Sequence, residues 1–243
     1  MPVSSSPFEY KDNNGRVYEG TLCYDKSVPT KRPGVLVLHA LPGRGEFDDG
    51  RALELAKLGY VALAADVYGK EVQGASREEC QAIMRALVDG DREELGQRLL
   101  AARNALAGVE GVDGEKIGAI GYCFGGRCAL DMARRRLPGY RAAVSFHGTL
   151  APIPGAPQTE VEAKIQIHNG QADPHIPKEH ILALYDELNA RKADWTYIEH
   201  GHAVHGFTEP SLVNSDRPGI GYQEKAAKRS WKMAMDFLEE AFA

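Results

Sequence analysis

Six short apolar runs, separated by segments of helical periodicity, constrain the fold of this chain most strongly. Most of the runs are continuously apolar, which is typical of strands covered on both faces of a parallel sheet. Because parallel strands are joined by right-handed crossovers, this alternation predicts an open α/β sheet with helices on both faces. The runs are "GVLVLHA" (34–40), "YVALAADV" (60–67), "KIGAIGY" (116–122), "RAAVSFHG" (141–148), "KIQIHNG" (164–170) and "DWTYIEH" (194–200).

The N-terminal part of the chain has a different pattern. "FEYKDNNGRVYEGTLCYD" alternates around "DNNG", which is a strong turn signal for a β-hairpin. No internal repeat or low-complexity linker divides the sequence, and its 243 residues suit one large α/β domain. We therefore expect a single domain, residues 1–243, with an N-terminal hairpin and a mostly parallel open sheet.

Two segments between the apolar runs carry clear helix signals. In "SREECQAIMRALV", Ser76 and Glu79 form an S-x-x-E capping box, and apolar residues recur at the spacing of one helix face. "DREELGQRLLAARNALAG" predicts a helix with Asp91 as its N-cap and Gly108 directly after its end. A final helix is expected from about Tyr222.

Charge and composition exclude several classes of protein. The net charge is −5 and the basic residues are scattered, so nucleic acid is not an expected partner. No window approaches the roughly 18 consecutive apolar residues of a membrane helix, and no signal peptide is visible. The four cysteines are expected to be free thiols in a reducing compartment. We expect a cytoplasmic protein, either a monomer or a small homo-oligomer, without a membrane partner.

The segment "AIGYCFGGRCAL" (119–130) places Cys123 where a predicted strand gives way to a predicted helix. Its G-x-C-x-G-G pattern corresponds to the nucleophile elbow G-x-S-x-G, with a thiol in place of the hydroxyl. We expect the glycines to be needed because this turn leaves no space for a Cβ atom. The helix N-terminus would also stabilise a thiolate. Cys123 is therefore the candidate nucleophile, whereas the other three cysteines are interpreted as small core residues.

Polar residues follow two later strands, where an open α/β sheet binds its ligands. The segment "KIQIHNGQADPHIP" contains Asp173, and the segment "YIEHGHAVHGF" contains His200, His202 and His205. A nucleophile, an acid and a histidine in this order match the α/β-hydrolase arrangement. The three histidines alternatively suggest a metal site, but no acidic partner pattern accompanies them. We expect neither a metal nor a cofactor.

Together, "GYCFGG", "HNGQADPHIP" and "HAVHGFTEP" resemble the dienelactone hydrolase family of the α/β-hydrolase superfamily. The likeness extends over most of the chain and implies the α/β-hydrolase fold. It implies Cys123 as the nucleophile, His205 as the base and Asp173 as the group that orients the base. His205 is favoured over the alternative, His202, because "HGF" (205–207) fits the H-x-F pattern of the family and the residues at His202 do not.

The resemblance also implies a mechanism. His205 would take the thiol proton, and Cys123 would attack an ester or lactone carbonyl to form an acyl-enzyme that water then hydrolyses. The oxyanion would be held by two backbone N–H groups. Phe124, which follows the nucleophile, would supply one, and Leu41 in the "HALPGRG" loop would supply the other.

Two positions depart from the lactone-cleaving members of the family. Those members carry a glutamate beside the resting thiol, where this chain has Ala40. They also carry an arginine four residues after the catalytic histidine, where this chain has Glu209, while Arg77 is a candidate for their second carboxylate-binding arginine. Dienelactone is therefore not the expected substrate, and Cys123 is expected to rest as a thiolate–imidazolium pair.

Candidate pocket residues come from the ends of the predicted strands. A mostly apolar pocket favours neutral, hydrophobic activated esters, and a soft thiolate would also attack phosphotriesters. Besides Arg77, Leu41 and Phe124, the predicted pocket residues are Tyr68, Phe146, Trp195 and Phe207.

The expected function is thus cysteine-dependent hydrolysis of esters or lactones. The alternative is a non-catalytic small-ligand binding protein with the same fold, although a binder has no need of all three polar groups. A nucleotide-binding interpretation of the glycines is weaker, because "GYCFGG" lacks the G-x-G-x-x-G spacing and no P-loop lysine follows it.

Overall fold

The computed structural model describes residues 3–243 and places eight strands in one sheet. The strands are β1 (Val3–Lys11), β2 (Val17–Asp25), β3 (Arg32–Leu38), β4 (Val61–Ala65), β5 (Val112–Tyr122), β6 (Tyr140–Phe146), β7 (Lys164–Gly170) and β8 (Trp195–His200). Their order in the sheet is β1-β2-β4-β3-β5-β6-β7-β8. In the part of the sheet ordered β4-β3-β5-β6-β7-β8, each strand is parallel to its neighbours. The pairs β1–β2 and β2–β4 are antiparallel. The predicted mostly parallel sheet with an N-terminal hairpin is confirmed.

Helices cover both faces of this sheet. They are α1 (Glu46–Lys57), α2 (Arg77–Val88), α3 (Glu93–Ala107), α4 (Phe124–Arg134), α5 (Lys178–Ala190) and α6 (Glu224–Phe242). Along β3, Val35 and Val37 pack in the core layer of α1 and α6, whereas Leu36 and Leu38 pack in the layer of α2 to α5. This burial on both faces explains why the strand is continuously apolar. Across residues 3–243, every helix falls short of the length or the apolar character that crossing a bilayer requires.

Side chains fix the turn of the β1–β2 hairpin. Asp12 Oδ1 accepts hydrogen bonds from the backbone N–H groups of Asn14 (2.9 Å) and Arg16 (3.0 Å). Gly15 follows with φ = 81°, a conformation that glycine adopts without steric cost. The "DNNG" signal therefore works through an Asx-type turn.

The helix starts confirm one sequence prediction and correct another. At α2 the capping box is formed, with Ser76 N 2.8 Å from Glu79 Oε2 and Glu79 N 3.3 Å from Ser76 Oγ. At α3 the N-cap is Arg92, with φ = 55°, and not the predicted Asp91. The Arg92 side chain is buried in an ion pair with Asp131 (3.0 Å), which fixes its backbone in this conformation. Asp91 Oδ1 still accepts the N–H of Glu93 at 3.1 Å.

Candidate active site

Cys123 occupies a sharp turn between β5 and α4, with φ = 52° and ψ = −109°. A Cβ atom on Gly121 would lie 2.0 Å from the carbonyl oxygen of Gly125, and one on Gly125 would lie 2.0 Å from that of Leu38. Only glycines at these positions let β5, α4 and the end of β3 approach so closely. The turn leaves the Cys123 side chain partly exposed at the carboxyl edge of the sheet.

The structure brings Cys123, His205 and Asp173 together from three strand ends. His205 Nε2 lies 3.1 Å from Cys123 Sγ, and His205 Nδ1 lies 2.9 Å from Asp173 Oδ2. The buried Asp173 also accepts the backbone N–H of His175 through Oδ1, at 2.8 Å. Because the carboxylate accepts a hydrogen bond from Nδ1–H, Nε2 is the ring nitrogen that faces the thiol.

Electrostatics favour the protonated form of His205. Burial disfavours an imidazolium, but the hydrogen bonds with Asp173 and Cys123 outweigh it and raise the pKa of His205 to about 10. The ordinary histidine pKa is near 6.5, so at neutral pH the ring holds its proton. An imidazolium at hydrogen-bond distance from a sulfur stabilises the thiolate.

The backbone of His205 is held by a later part of the chain. Its N–H donates to the carbonyl oxygen of Gly219 (3.0 Å), and its carbonyl accepts the N–H of Gly221 (3.0 Å). These two bonds form an isolated bridge between His205 and Ile220. The long segment between β8 and α6 therefore positions the histidine.

Leu41 and Phe124 both line the cavity into which Cys123 faces. Within residues 3–243, no backbone or side-chain acceptor takes the N–H of either residue. Phe124 is the first residue of α4, so its N–H has no intrahelical acceptor. Two uncommitted N–H groups beside a nucleophile are what an oxyanion hole requires.

The cavity has a volume of about 340 Å³ and combines apolar walls with charged groups. Three arginines line it, and within residues 3–243 none of them has a carboxylate within 4.0 Å. One carboxyl group, that of Glu209, also lines it. The apolar lining comes from the loop after β3, from α2 and from the segment after His205, and includes Ala40, Leu41, Met84, Val88, Leu212 and Ile220.

Among the predicted pocket residues, Arg77, Leu41 and Phe124 line the cavity, but Tyr68 and Phe146 do not. Tyr68 is buried behind Phe124, with ring centroids 5.5 Å apart, and its hydroxyl donates to the carbonyl oxygen of Leu41 at 3.1 Å. Phe146 is buried and stacks on Tyr122 and His168. Both rings belong to the core that supports the site.

The prediction for Trp195 and Phe207 is also wrong. Trp195 is the first residue of β8, at the amino end of the strand and away from the site, where it stacks on Tyr185. Phe207 is fully buried, with its ring centroid 5.4 Å from that of His147 and 5.1 Å from that of His200. Proximity to a strand end in sequence does not show on which side of the core an aromatic ring lies.

The three histidines after β8 do not converge. His200 Nε2 lies 3.2 Å from Nδ1 of the buried His168. His202 is exposed in a turn, with φ = 62°. Only His205 reaches Cys123. His202 therefore lacks the geometry of a base for Cys123. The three histidines likewise lack the geometry of a shared metal site.

Sequence reasoning missed two of the arginines, Arg127 and Arg217. Arg127 is half-buried, and its Nε donates to Thr149 Oγ1 at 2.7 Å. Burial and the nearby charge of Arg92 lower the pKa of Arg127. The spacing of four residues from Cys123 along α4 could have indicated Arg127, whereas no local pattern points to Arg217.

Two carboxyl groups, of Asp48 and Glu209, interact next to the cavity. Asp48 Oδ2 accepts the N–H of Gly45 at 2.9 Å, but its buried Oδ1 has no partner within residues 3–243. Burial, with a contribution from the charge of Glu209, raises the pKa of Asp48 to about 7. Burial also raises the pKa of Glu209.

Asp48→Asn is expected to stabilise the protein increasingly as pH rises from 4 to 7. In this window the folded state holds a proton on Asp48 that the unfolded state releases, so wild-type stability falls with rising pH. The amide keeps an acceptor for Gly45 and removes this penalty, which reaches about 4 kcal/mol at most above pH 7. Urea denaturation at several pH values measures the difference. The exposed Asp216→Asn is the control, and a gain that is the same at pH 4 and pH 8 would contradict the explanation.

Known proteins resemble this chain in both sequence and fold. The model of the dienelactone hydrolase family matches residues 19–242. An uncharacterized protein of Caenorhabditis elegans is 48% identical over 151 residues, which are 62% of this chain and 96% of that protein. Among solved structures, m3DLH has a TM-score of 0.92 at 31% identity, with all of both chains covered. A dienelactone hydrolase-like promiscuous phosphotriesterase from metagenomic libraries has a TM-score of 0.84, also at 31% identity and with full coverage of both chains.

Proposed function

This chain belongs to the dienelactone hydrolase family and is a hydrolase of ester bonds, and from that premise we propose that it cleaves carboxylic esters or lactones with Cys123 as its nucleophile. One observation carries the proposal. Cys123 Sγ, His205 Nε2, His205 Nδ1 and Asp173 Oδ2 form a continuous hydrogen-bonded chain that begins at a nucleophile elbow. This is the arrangement that activates a nucleophile by an adjacent base and orients that base.

In the acylation step, the thiolate of Cys123 attacks the carbonyl carbon, and the carbonyl oxygen becomes an oxyanion. The N–H groups of Phe124 and Leu41 stabilise that oxyanion, since both residues line the cavity and their N–H groups have no acceptor among residues 3–243. When the tetrahedral intermediate collapses, His205 donates its Nε2 proton to the leaving alcohol. The product of this half-reaction is a thioester on Cys123.

In the deacylation step, His205 is neutral and accepts a proton from the attacking water. Asp173 holds the ring in the required tautomer throughout. Collapse of the second tetrahedral intermediate releases the carboxylic acid and restores the thiolate–imidazolium pair. The raised pKa of His205 supports that pair as the resting state.

A burst assay with alkylation tests the proposal. Wild-type protein mixed with p-nitrophenyl butyrate is expected to release p-nitrophenolate in a burst of one equivalent at most, followed by steady turnover. Iodoacetamide at pH 7 is expected to modify Cys123 rapidly, because the His205 imidazolium beside Sγ favours the thiolate, and to abolish turnover. Peptide mapping identifies the modified cysteine. Fully alkylated protein that still hydrolyses the ester would refute the proposed nucleophile.

The alternative of a non-catalytic binding protein makes a different prediction. A binder would retain the ester without releasing p-nitrophenolate beyond the background rate. A binder also gains nothing from a His205 that bonds both a thiol and a buried carboxylate. The burst assay separates the two functions.

The cavity supports a broad range of activated esters. Its apolar wall, which includes Leu41, Met84 and Leu212, accepts hydrophobic acyl or alkoxy groups. The guanidinium of Arg127, which has no carboxylate partner within residues 3–243, offers in addition a charge-assisted hydrogen bond to an anionic substituent. The cavity is therefore less apolar than the sequence suggests.

Arg127→Gln is expected to reduce kcat/KM for an ester carrying a carboxylate about 10- to 100-fold, relative to an uncharged ester of similar length. This range corresponds to the loss of a hydrogen bond between charged groups. Mono-p-nitrophenyl glutarate and p-nitrophenyl butyrate form a suitable pair. Arg85→Gln changes an exposed arginine of α2 that does not line the cavity and serves as the control. An unchanged ratio between the two esters would exclude Arg127 from substrate selection.

Phosphotriesters are a second substrate class in this proposal. The 31% identical structure of a promiscuous phosphotriesterase, which covers the whole chain, favours it. The Cys123 thiolate would attack phosphorus and displace an aryl oxide, with the same N–H groups around the phosphoryl oxygen. Release of p-nitrophenolate from diethyl p-nitrophenyl phosphate measures this activity.

We further propose that residues 1–243 are one domain that acts in the cytoplasm as a monomer or a small homo-oligomer. One sheet carries all six helices, and all four cysteines are free thiols, which suits a reducing compartment. Size-exclusion chromatography with light scattering measures the oligomeric state.

A further inference from the structure

His147, directly after β6, connects the turn of Cys123 to the segment of His205. It is fully buried and has φ = 41°. Its Nδ1 lies 3.1 Å from the backbone nitrogen of Cys123, and its Nε2 lies 2.7 Å from Thr208 Oγ1. Because the backbone N–H is a donor, Nδ1 must be the acceptor, and Nε2 therefore carries the hydrogen that it donates to Thr208.

We propose that His147 is a positioning residue that, together with Thr208, sets the separation between Cys123 Sγ and His205 Nε2. The inference rests on the proposed function, in which that separation governs proton transfer. Thr208 is buried and lies three residues after His205 in the segment between β8 and α6. The imidazole thus ties the nucleophile to the segment that carries the base.

Backbone strain shows why such a connection is needed. Cys123 and His147 both have positive φ, a conformation that is unfavourable for a residue with a side chain and persists only where surrounding contacts hold it. The N–H of Cys123 also lies 3.0 Å from the carbonyl oxygen of Phe146, so the donor is shared between two acceptors. Of these two acceptors, the His147 imidazole is the one that also forms a hydrogen bond with Thr208.

The surroundings keep the His147 ring neutral. Burial lowers the pKa of His147 well below its usual value, and the charge of His205 lowers it further. The two rings meet edge to face, with centroids 5.2 Å apart. A proton on Nδ1 would place two donors, Nδ1–H and the N–H of Cys123, against each other. His147 therefore remains an acceptor for Cys123 while His205 is an imidazolium.

Thr208→Val removes the acceptor of Nε2–H and preserves the shape of the side chain. It is expected to lower kcat for p-nitrophenyl butyrate about 10- to 100-fold, since small misplacements of reacting groups cost up to about 10²-fold. KM should change less than about twofold, and alkylation of Cys123 by iodoacetamide at pH 7 should slow with kcat. Thr208→Ser restores the hydroxyl and should recover most of the loss. Thr196→Val, on the exposed side of β8, controls for the chemical change.

A double-mutant cycle provides the second measurement. His147→Asn keeps an oxygen that can accept the N–H of Cys123 and tolerates positive φ, but it cannot reach Thr208. His147→Asn should lower kcat and the alkylation rate of Cys123 as much as Thr208→Val does. The variant with both changes should lose no more than either single variant, because one connection is broken in all three.

Two results would overturn the inference. One is a folded Thr208→Val or His147→Asn variant, with wild-type melting temperature, whose kcat and alkylation rate are both unchanged. The other is additive losses in the double variant. If the proposed function itself fails, no variant turns over ester, wild type included. Alkylation still reports on the Cys123–His205 pair in that case, so the two failures are distinguishable. Should Thr208→Val not fold, His147→Asn carries the test.

Discussion

Cys123→Ala is expected to lower kcat for p-nitrophenyl butyrate by about 10⁴- to 10⁶-fold and to abolish the burst. The thioester on Sγ is the only covalent intermediate of the proposed mechanism, and alanine leaves no group that can form it. The oxyanion donors Phe124 and Leu41 stay in place, so a small residual rate above background remains. Stopped-flow absorbance of p-nitrophenolate measures burst and turnover together.

A buried thiol outside the cavity offers the matched control for this variant. Cys23→Ala, in β2, makes the same chemical change in the core far from the site and is expected to keep both burst and turnover. Circular dichroism shows whether each variant is folded. Turnover within tenfold of wild type in folded Cys123→Ala would assign the nucleophile to another residue.

Asp173→Asn is expected to lower kcat by about 10⁴-fold with little change in KM, as the loss of an orienting carboxylate does in related triads. The carboxylate now accepts Nδ1–H of His205 at 2.9 Å. An amide NH₂ at that position favours the tautomer with its hydrogen on Nε2, which cannot accept a proton from the thiol or from water. The pKa of His205 also falls, because the bond to Asp173 is one of the two hydrogen bonds that raise it against burial.

The pH dependence of alkylation gives an independent measure of the same variant. The His205 imidazolium of Asp173→Asn loses its proton at lower pH than that of wild type, so the iodoacetamide rate profile of this variant should show slower alkylation near neutral pH. Asp186→Asn, on the exposed face of α5, should leave both kcat and the profile unchanged. If kcat of folded Asp173→Asn falls less than tenfold below that of wild type, His205 needs no orienting carboxylate.

Features that depend on neighbouring residues could be predicted from the sequence. The elbow at Cys123 is encoded by glycines within a few positions, because steric exclusion of a Cβ atom is a local constraint. The capping box of Ser76 and Glu79 is local in the same sense. The N-cap of α3 was missed because a distant ion pair, between Arg92 and Asp131, decides the conformation of Arg92.

The lining of the cavity could be predicted only in part. Leu41 and Phe124 follow from their backbone positions beside the elbow. Tyr68, Phe146 and Phe207 are core residues. An apolar side chain near a strand end has the same sequence pattern whether it faces a ligand or packs against another layer, so the sequence does not distinguish the two cases. Arg217 reaches the cavity from a long segment whose path no short-range pattern specifies.

By itself, the sequence determined the succession of strands and helices and the strained turn at Cys123, because periodicity and backbone sterics act between residues close in the chain. His205 and Asp173 were identified as candidate partners of Cys123 by the resemblance of their motifs to the dienelactone hydrolase family. Only the tertiary structure decided that His205 Nε2 lies 3.1 Å from Cys123 Sγ, that His147 bridges Cys123 and Thr208, and that Arg127 lines the cavity. These distances depend on how separate strand ends and loops pack against one another, and a shift of about an ångström would remove the chemistry while leaving every local pattern intact.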